Sequence, residues 1–284
     1  MDFTRTHTCG ELDGTHVSME VCLNGWVNDW RDLGNVIFIG LRDRYGITQL
    51  VFEKDKTPQQ FQDAKKLRSE YVISVKGTVR KRPTDAINPD MKTGEIEIAC
   101  SGLEILNTSK PLPFELKDYA EKSEELRLKY RFLDLRRYSL QKNLILRHKL
   151  AQLTRQYFTE NGFVEIETPV LTKSTPEGAR DFLVPSRLHP GKFYALPQSP
   201  QTYKQILMIS GFDRYFQIVK CYRDEDLRSD RQPEFTQIDI EMSFITPEIL
   251  FGIIEKFMVQ VFAELLNLQL KPPFNKMSYQ EAME

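Results

Sequence analysis

An all-β barrel followed by an α+β domain, in which helices flank an antiparallel sheet, is the fold class that this sequence predicts. Three observations predict it. Residues 17–107 hold β-type runs in the order three strands, a short helix and two strands. Residues 139–161 carry the longest helical period in the chain. Residues 215–244 read as two strands around a charged connector, the second with an apolar face turned to a core and a polar face turned to water. At 284 residues the chain has room for two cores. The expected divisions are a barrel over 1–106, a hinge over 107–130 and the second domain over 131–284.

In the barrel the first strand covers 17–27 and the second 36–42; after the turn Asp43-Arg-Tyr-Gly46 a third covers 47–52. Residues 58–67 are helical, because Pro58 suits a first turn and Phe61, Ala64 and Leu67 recur at helical spacing. Strands over 71–79 and 95–106 complete the set. That order fits a five-stranded OB-type barrel, a fold that binds oligonucleotides on one face. On it Arg31, Phe38, Gln49, Phe52, Arg80, Arg82 and Glu97 offer groups to pair with bases, rings to stack on them and cations for phosphate. Stacking a base on an aromatic ring is worth roughly 1 to 3 kcal/mol. Phe38 and Phe52 would serve equally well as core.

Residues 107–125 contain Pro111 and Pro113 and no apolar period, which marks a hinge. Residues 126–137 form a basic amphipathic segment whose charges either face solvent or meet an RNA backbone. Over 139–161, Leu146, Leu150, Leu153 and Tyr157 lie at helical spacing, with Gly162 as the stop. The strand pattern over 163–169 ends in Pro169, which cannot donate to a central ladder and marks an edge or interface. Residues 175–181 have the Pro and Gly of a mobile loop. Pro200 then suits a helix start, and Gln201 and Lys204 lie three apart on one helix face, within reach of one small ligand. Ile206, Leu207, Met208 and Ile209 continue that helix, while capping alone explains Ser199. In the hairpin, the connector over 224–234 places Arg223, Glu225, Arg228, Arg231 and Gln232 between two apolar strands. Arginine forks hold phosphate oxygens bidentately and Phe235 can stack a base, so this is a candidate nucleotide cradle.

Charge and composition narrow the partners. Lys and Arg number 39 against 40 Asp and Glu, so a net charge of -1 gives no strong nonspecific attraction to nucleic acid, and RNA binding must come from local patches. Cys9, Cys22, Cys100 and Cys221 lie far apart without close Cys/His spacing, as free core thiols in a reducing cytosol would. No apolar run suggests a signal peptide or a membrane span. A soluble, cytoplasmic protein with no membrane or DNA partner is expected. None of its residues is put forward as a metal ligand, and His7, His16, His148 and His189 carry no chemistry in this reading.

Tyr222-Arg-Asp-Glu225 followed by Arg231-Gln-Pro-Glu-Phe-Thr-Gln-Ile-Asp239 resembles motif 2 of class II aminoacyl-tRNA synthetases, and of bacterial-type aspartyl-tRNA synthetases in particular. Asn161-Gly-Phe-Val-Glu-Ile-Glu-Thr-Pro-Val-Leu171 resembles motif 1, the dimer interface of that family, which implies a homodimer. Gly25-Trp-Val-Asn28, Arg31-Asp-Leu-Gly34, Phe38, Leu41-Arg-Asp-Arg44 and Gly94-Glu-Ile-Glu97 are similar to its anticodon-binding barrel. There the residues matching Arg31, Phe38, Gln49 and Glu97 read the anticodon; Arg80 and Arg82 complete the candidate set.

The resemblance implies ATP-dependent activation of L-aspartate to aspartyl-adenylate, then transfer to the 3′ end of tRNA(Asp), with Mg²⁺ assisting. Arg223, the catalytic residue, would bridge the substrate carboxylate and the α-phosphate; Asp224, Glu225 and Gln232 would join it on ATP, with Phe235 under the adenine. Glu177, Ser199, Gln201, Lys204, Arg223 and Asp239 would bind aspartate. A buried carboxylate needs a cation, which Lys204 supplies, while Asp239 and Glu177 would neutralise the ammonium group. Family members continue through an inserted domain and a motif 3 that nothing after Phe274-Asn-Lys-Met-Ser-Tyr-Gln-Glu-Ala-Met-Glu284 supplies. The sequence therefore reads as the N-terminal part of such an enzyme, with an incomplete sheet and ATP site. The alternative is a short paralogue that binds tRNA or aspartate without aminoacylating.

Overall fold

The computed structural model describes residues 4–116, 123–175 and 177–284. Two compact units, Met1–Gln141 and Lys142–Glu284, divide the chain. Residues 117–122 of the expected hinge lie outside the described residues.

In the first unit, strands β1 (Glu20–Asp32), β2 (Val36–Arg42), β3 (Ile47–Glu53), β4 (Val72–Lys81) and β5 (Ile96–Asn107) close a barrel in the order β1-β2-β3-β5-β4. All pairings are antiparallel except β3 with β5, and helix α1 (Pro58–Ala64) sits between β3 and β4. Alternation sends Leu23, Val27, Ile37, Ile39, Leu41, Leu50, Ile73, Val75 and Ile98 into one apolar core with Phe61 and Leu67. Gly25 has no substitute there, since a Cβ would stand 2.5 Å from the Arg42 carbonyl oxygen. Asp43 builds the expected turn by accepting hydrogen bonds from the backbone N–H of Tyr45, Gly46 and Cys9.

Two expectations for the barrel are corrected. The first strand runs to Asp32 rather than 27, because an irregularity between Val27 and Asp29 lets β1 leave β4 and continue along β2. That extension sets Asp29 opposite Gly40 and Arg31 opposite Phe38. Phe52 is core: it pairs with Ile37 on the inward side of the pleat and is fully buried.

The basic segment folds as two short helices, α2 (Glu124–Lys129) and α3 (Arg131–Asp134). Its arginines mostly turn inward. Asp134 is fully buried and paired with Arg131 at 2.6 Å, Arg137 at 3.1 Å and Arg127 at 3.3 Å. Arg136 lies over the Trp26 ring and binds buried Glu70, which Arg42 holds with two bonds of 2.8 Å. Internal carboxylates, neither solvent nor RNA, thus take most of the segment's cations.

The second unit begins within helix α4 (Tyr138–Glu160), which Gly162 ends at φ +78° as the Phe163 N–H bonds the Phe158 carbonyl. Strand β6 (Val164–Glu165) is two residues long, shorter than the 163–169 expected, and runs parallel to β9 (Arg214–Tyr222), which pairs with β10 (Glu234–Met242). A small hairpin, β7 (Leu183–Pro185) with β8 (Phe193–Ala195), precedes helix α5 (Gln201–Ile209). Helices α6 (Pro247–Leu266) and α7 (Tyr279–Met283) follow the sheet. Tyr157, Phe158, Phe163, Phe216 and Phe257 form the core, joined by Ile240 and Met242 of β10. The expected wet face of β10 is not wet: Asp239 and its β9 neighbour Gln217 are buried. Helix α5 lies on that side and sets Lys204 against them, whereas Ile238 is 38% and Phe244 97% exposed.

Candidate functional site

Tight register between β9 and β10, from Tyr222 opposite Glu234 to Arg214 opposite Met242, fixes a row of polar side chains under α5. Lys204 reaches down from the first turns of that helix. Its Nζ stands 2.8 Å from Asp239 Oδ1 and 3.2 Å from Glu241 Oε2. Burial opposes its charge, but the hydrogen bonds and charges of Asp239 and Glu241 outweigh that and hold its pKa above the ordinary value. For Asp239 burial dominates even against Lys204, and Glu241 adds repulsion, so its carboxyl is held above the usual range. Two carboxylates share one cation.

Asp239 Oδ2 is buried and accepts no hydrogen bond. The hydroxyl of fully buried Tyr215 donates to Gln217 Oε1 at 2.8 Å, as does Thr168 at 2.9 Å, and it lies near enough to Asp239 to favour that carboxylate's charge without closing a hydrogen bond of good geometry to Oδ2. An ammonium group brought to Oδ2 would complete this carboxylate.

The loop that carries Glu177 closes the same region. Ser199 donates to Glu177 Oε2 at 3.0 Å, and the Asp224 N–H bonds the Arg180 carbonyl at 3.0 Å. Cys221 on β9 registers the whole constellation: burial first, then the Asp239 charge, raises its thiol to about 11, with Glu177 adding to the rise and Arg223 and Lys204 opposing it. Glu177, Lys204, Arg223 and Asp239 therefore lie within electrostatic reach of one point.

A cavity of about 410 Å³ opens beside them, lined by Arg223, Glu225, Arg231, Gln232 and Phe235 together with Asp226 and Asp230. The Arg223 guanidinium stands 5.2 Å from the Phe235 ring centre and its Nε is buried without a partner. Of the candidate ATP residues only Asp224 does not line the cavity, its side chain lying instead 3.9 Å from Arg180. Gln201 begins α5, one turn before Lys204.

On the barrel, Arg31, Phe38, Gln49 and Arg82 line a cavity of about 420 Å³ with Leu33, Asn88 and Met91. Arg31 lies 5.9 Å over Phe38, which is half-buried. Buried Glu97 accepts from Gln49 at 2.9 Å and from Arg80 Nε at 2.8 Å, while Arg80 Nη1 reaches Glu53 at 2.6 Å. Arg82 is buried and donates to the Ile96 carbonyl; burial lowers its pKa, and nearby Arg31 lowers it further. All six candidate residues thus meet on one outer face. Sequence reading missed Tyr215, Gln217, Glu241 and Gln198, whose polar groups break otherwise apolar or loop segments; that interruption was the available signal.

Residues 123–284 match the family model for tRNA synthetases class II (D, K and N), and residues 21–106 match that for an OB-fold nucleic acid binding domain. An aspartate–tRNA(Asp/Asn) ligase of Aquifex aeolicus is 60% identical over 283 residues, covering 100% of this chain and 47% of that protein. An aspartate–tRNA ligase of Ruminiclostridium cellulolyticum is 57% identical, covering 99% and 47%. The chain thus spans about half the length of the curated relatives it matches. The crystal structure of asparaginyl-tRNA synthetase from Pyrococcus horikoshii complexed with asparaginyl-adenylate superposes with a TM-score of 0.83 at 26% identity, covering 98% of this chain and 65% of that one.

Proposed function

Because this chain belongs to the class II tRNA synthetases of the aspartate, lysine and asparagine group, preceded by an OB-fold domain, we propose that it carries the aspartate-activating site and the anticodon-reading face of an aspartate–tRNA ligase. The observation that carries this reading is Lys204 beneath α5, a buried cation facing two carboxylates, one of which keeps an oxygen open. Aspartate presents a carboxylate and an ammonium group. Its side-chain carboxylate would take Lys204 as partner, and its ammonium would take Asp239 Oδ2 and Glu177, so each buried charge is matched on binding. Arg223 would bridge the α-carboxylate and the α-phosphate, with Glu225 and Gln232 on ATP and Phe235 under the adenine. Nothing in this scheme is covalent to the protein; catalysis is in-line positioning and charge neutralisation.

Among the described residues no group of three carboxylate, histidine or thiol ligands is arranged to hold a metal ion. Mg²⁺ would complete the charge neutralisation on ATP, and no step is routed through it. The barrel face would read the anticodon of tRNA(Asp). Exposed Val164, Val170 and Leu171 in the motif 1 segment support a homodimer, and no described helix is long and apolar enough to cross a membrane; the cytoplasm, where tRNA is charged, is the proposed compartment. A second reading is a form that binds aspartate or tRNA without completing aminoacylation.

Aspartate-dependent exchange of labelled pyrophosphate into ATP tests the proposal, with asparagine and lysine as controls. Exchange with aspartate alone, abolished in Arg223→Ala without change in the circular dichroism spectrum, is the expected result. Wild-type-like exchange by Arg223→Ala would refute the assignment; no exchange by the unsubstituted chain, with anticodon stem-loop binding retained, would favour the binding form.

A further inference from the structure

We propose that Gln198 is the positioning residue of the loop that bears Glu177, and that the affinity of the site for the activated amino acid depends on it; this rests on the aspartate-activating reading above. The side chain is buried, and its amide is committed to the loop alone. Gln198 Oε1 accepts from the Ala179 N–H at 3.1 Å, and Nε2 donates to the Ala179 carbonyl at 2.9 Å and to Asp181 Oδ1 at 2.6 Å. The other Asp181 oxygen accepts from Ser174 Oγ at 2.6 Å, so the two ends of the loop are tied through one carboxylate. Both amide donors and the amide acceptor are used, a set that no other side chain of this length supplies.

The neighbouring residues say what the tie is for. Ser199 holds Glu177 Oε2, so adjacent positions fix the loop backbone and its carboxylate. The Pro197 carbonyl accepts from the Tyr222 N–H, which anchors this three-residue segment to β9 beside Arg223. Between Glu177 and Ala179 stands Gly178 at φ +100°, a conformation that a side chain would strain and that lets the loop reverse between its two points of attachment. Gln198 thereby sets the distance from Glu177 to the Lys204–Asp239 pair. The charged side chain bonded to its amide is Asp181.

Calorimetric binding of the non-hydrolysable analogue aspartyl-sulfamoyl adenosine to the 284-residue chain, in parallel with ATP alone, tests this for Gln198→Ala and Gln198→Glu. Trypsin cleavage after Arg180, whose side chain is 81% exposed, reports loop release. Gln198→Ala should weaken the analogue about tenfold or more, the loss of a buried polar contact, while leaving ATP affinity unchanged and speeding cleavage at Arg180. Gln198→Glu should match Gln198→Ala at neutral pH, where two carboxylates oppose each other. Faster cleavage with unchanged analogue affinity would overturn the proposal, as would unchanged cleavage. If the unsubstituted chain binds ATP but not the analogue, the aspartate reading itself fails and takes this assignment with it.

Discussion

Two buried aspartates, one in each unit, are treated in opposite ways. Asp134 in the barrel unit is surrounded by three guanidinium groups, and although burial opposes its charge, Arg137, Arg127 and their hydrogen bonds hold its carboxyl below the usual range. Asp239 in the second unit has one ammonium, shared with Glu241, and burial holds its carboxyl above that range. Asp134 has more cations than it needs; Asp239 keeps an oxygen that accepts nothing. The difference separates a carboxylate that organises a fold from one that awaits a donor. Glu97 on the barrel belongs with Asp134, since Gln49 and Arg80 use both its oxygens.

The largest expected effect tests the closed member of the pair. Asp134→Asn leaves three guanidinium groups without a counter-charge. Because two of them are about one-third to one-half exposed, the cost should be about 3 kcal/mol, at the low end for breaking a buried pair. Urea unfolding followed by tryptophan fluorescence would measure it, Trp26 and Trp30 both lying in this unit. The pH dependence has a definite sign. With its folded pKa below the unfolded one, Asp134 contributes stability that is complete above about pH 4 and lost as pH falls through the lowered value. A barrel transition as acid-resistant in Asp134→Asn as in the parent would remove Asp134 from that role.

A smaller effect separates recognition from packing on the barrel face. Phe38 is half-buried beneath Arg31, while Phe52 sits on the inward side of the neighbouring strand. Phe38→Ala should therefore cost about 1 to 3 kcal/mol of affinity for an anticodon stem-loop and leave the unfolding midpoint close to that of the parent. Equal losses of affinity and stability would make Phe38 a packing residue like Phe52.

Much of this was legible in residue order, and what was not has one cause. The barrel could be read because its strands alternate and its turns carry their own chemistry, as Asp43 and Gly46 do. Helical spacing places Gln201 and Lys204 on one face of α5, and of the two it is Lys204 that meets the carboxylates of β10. The outward placement of Phe38 and inward placement of Phe52 were not legible, since either parity is apolar and only the pairing with β2 decides. Polarity misled on β10: Asp239, on the face expected to be wet, is buried beside Lys204, and Ile238, on the face expected to be core, is 38% exposed. Gln198 left no mark in the sequence, because an amide that satisfies a distant backbone carries no period.

The smallest expected change in stability is the one that bears hardest on the comparison. Asp239→Asn removes a carboxylate whose ionised form burial disfavours, and Lys204 keeps Glu241 as counter-charge. Since the folded pKa of Asp239 lies above its ordinary value, its contribution to stability declines as pH rises through that interval, the reverse of Asp134, so at neutral pH little is left to lose. Unfolding of Asp239→Asn should differ from the parent by less than about 1 kcal/mol, while aspartate-dependent pyrophosphate exchange disappears because an amide offers no charge to the substrate ammonium. A destabilisation as large as that of Asp134→Asn would place both aspartates in the fold and leave the second unit without its open carboxylate.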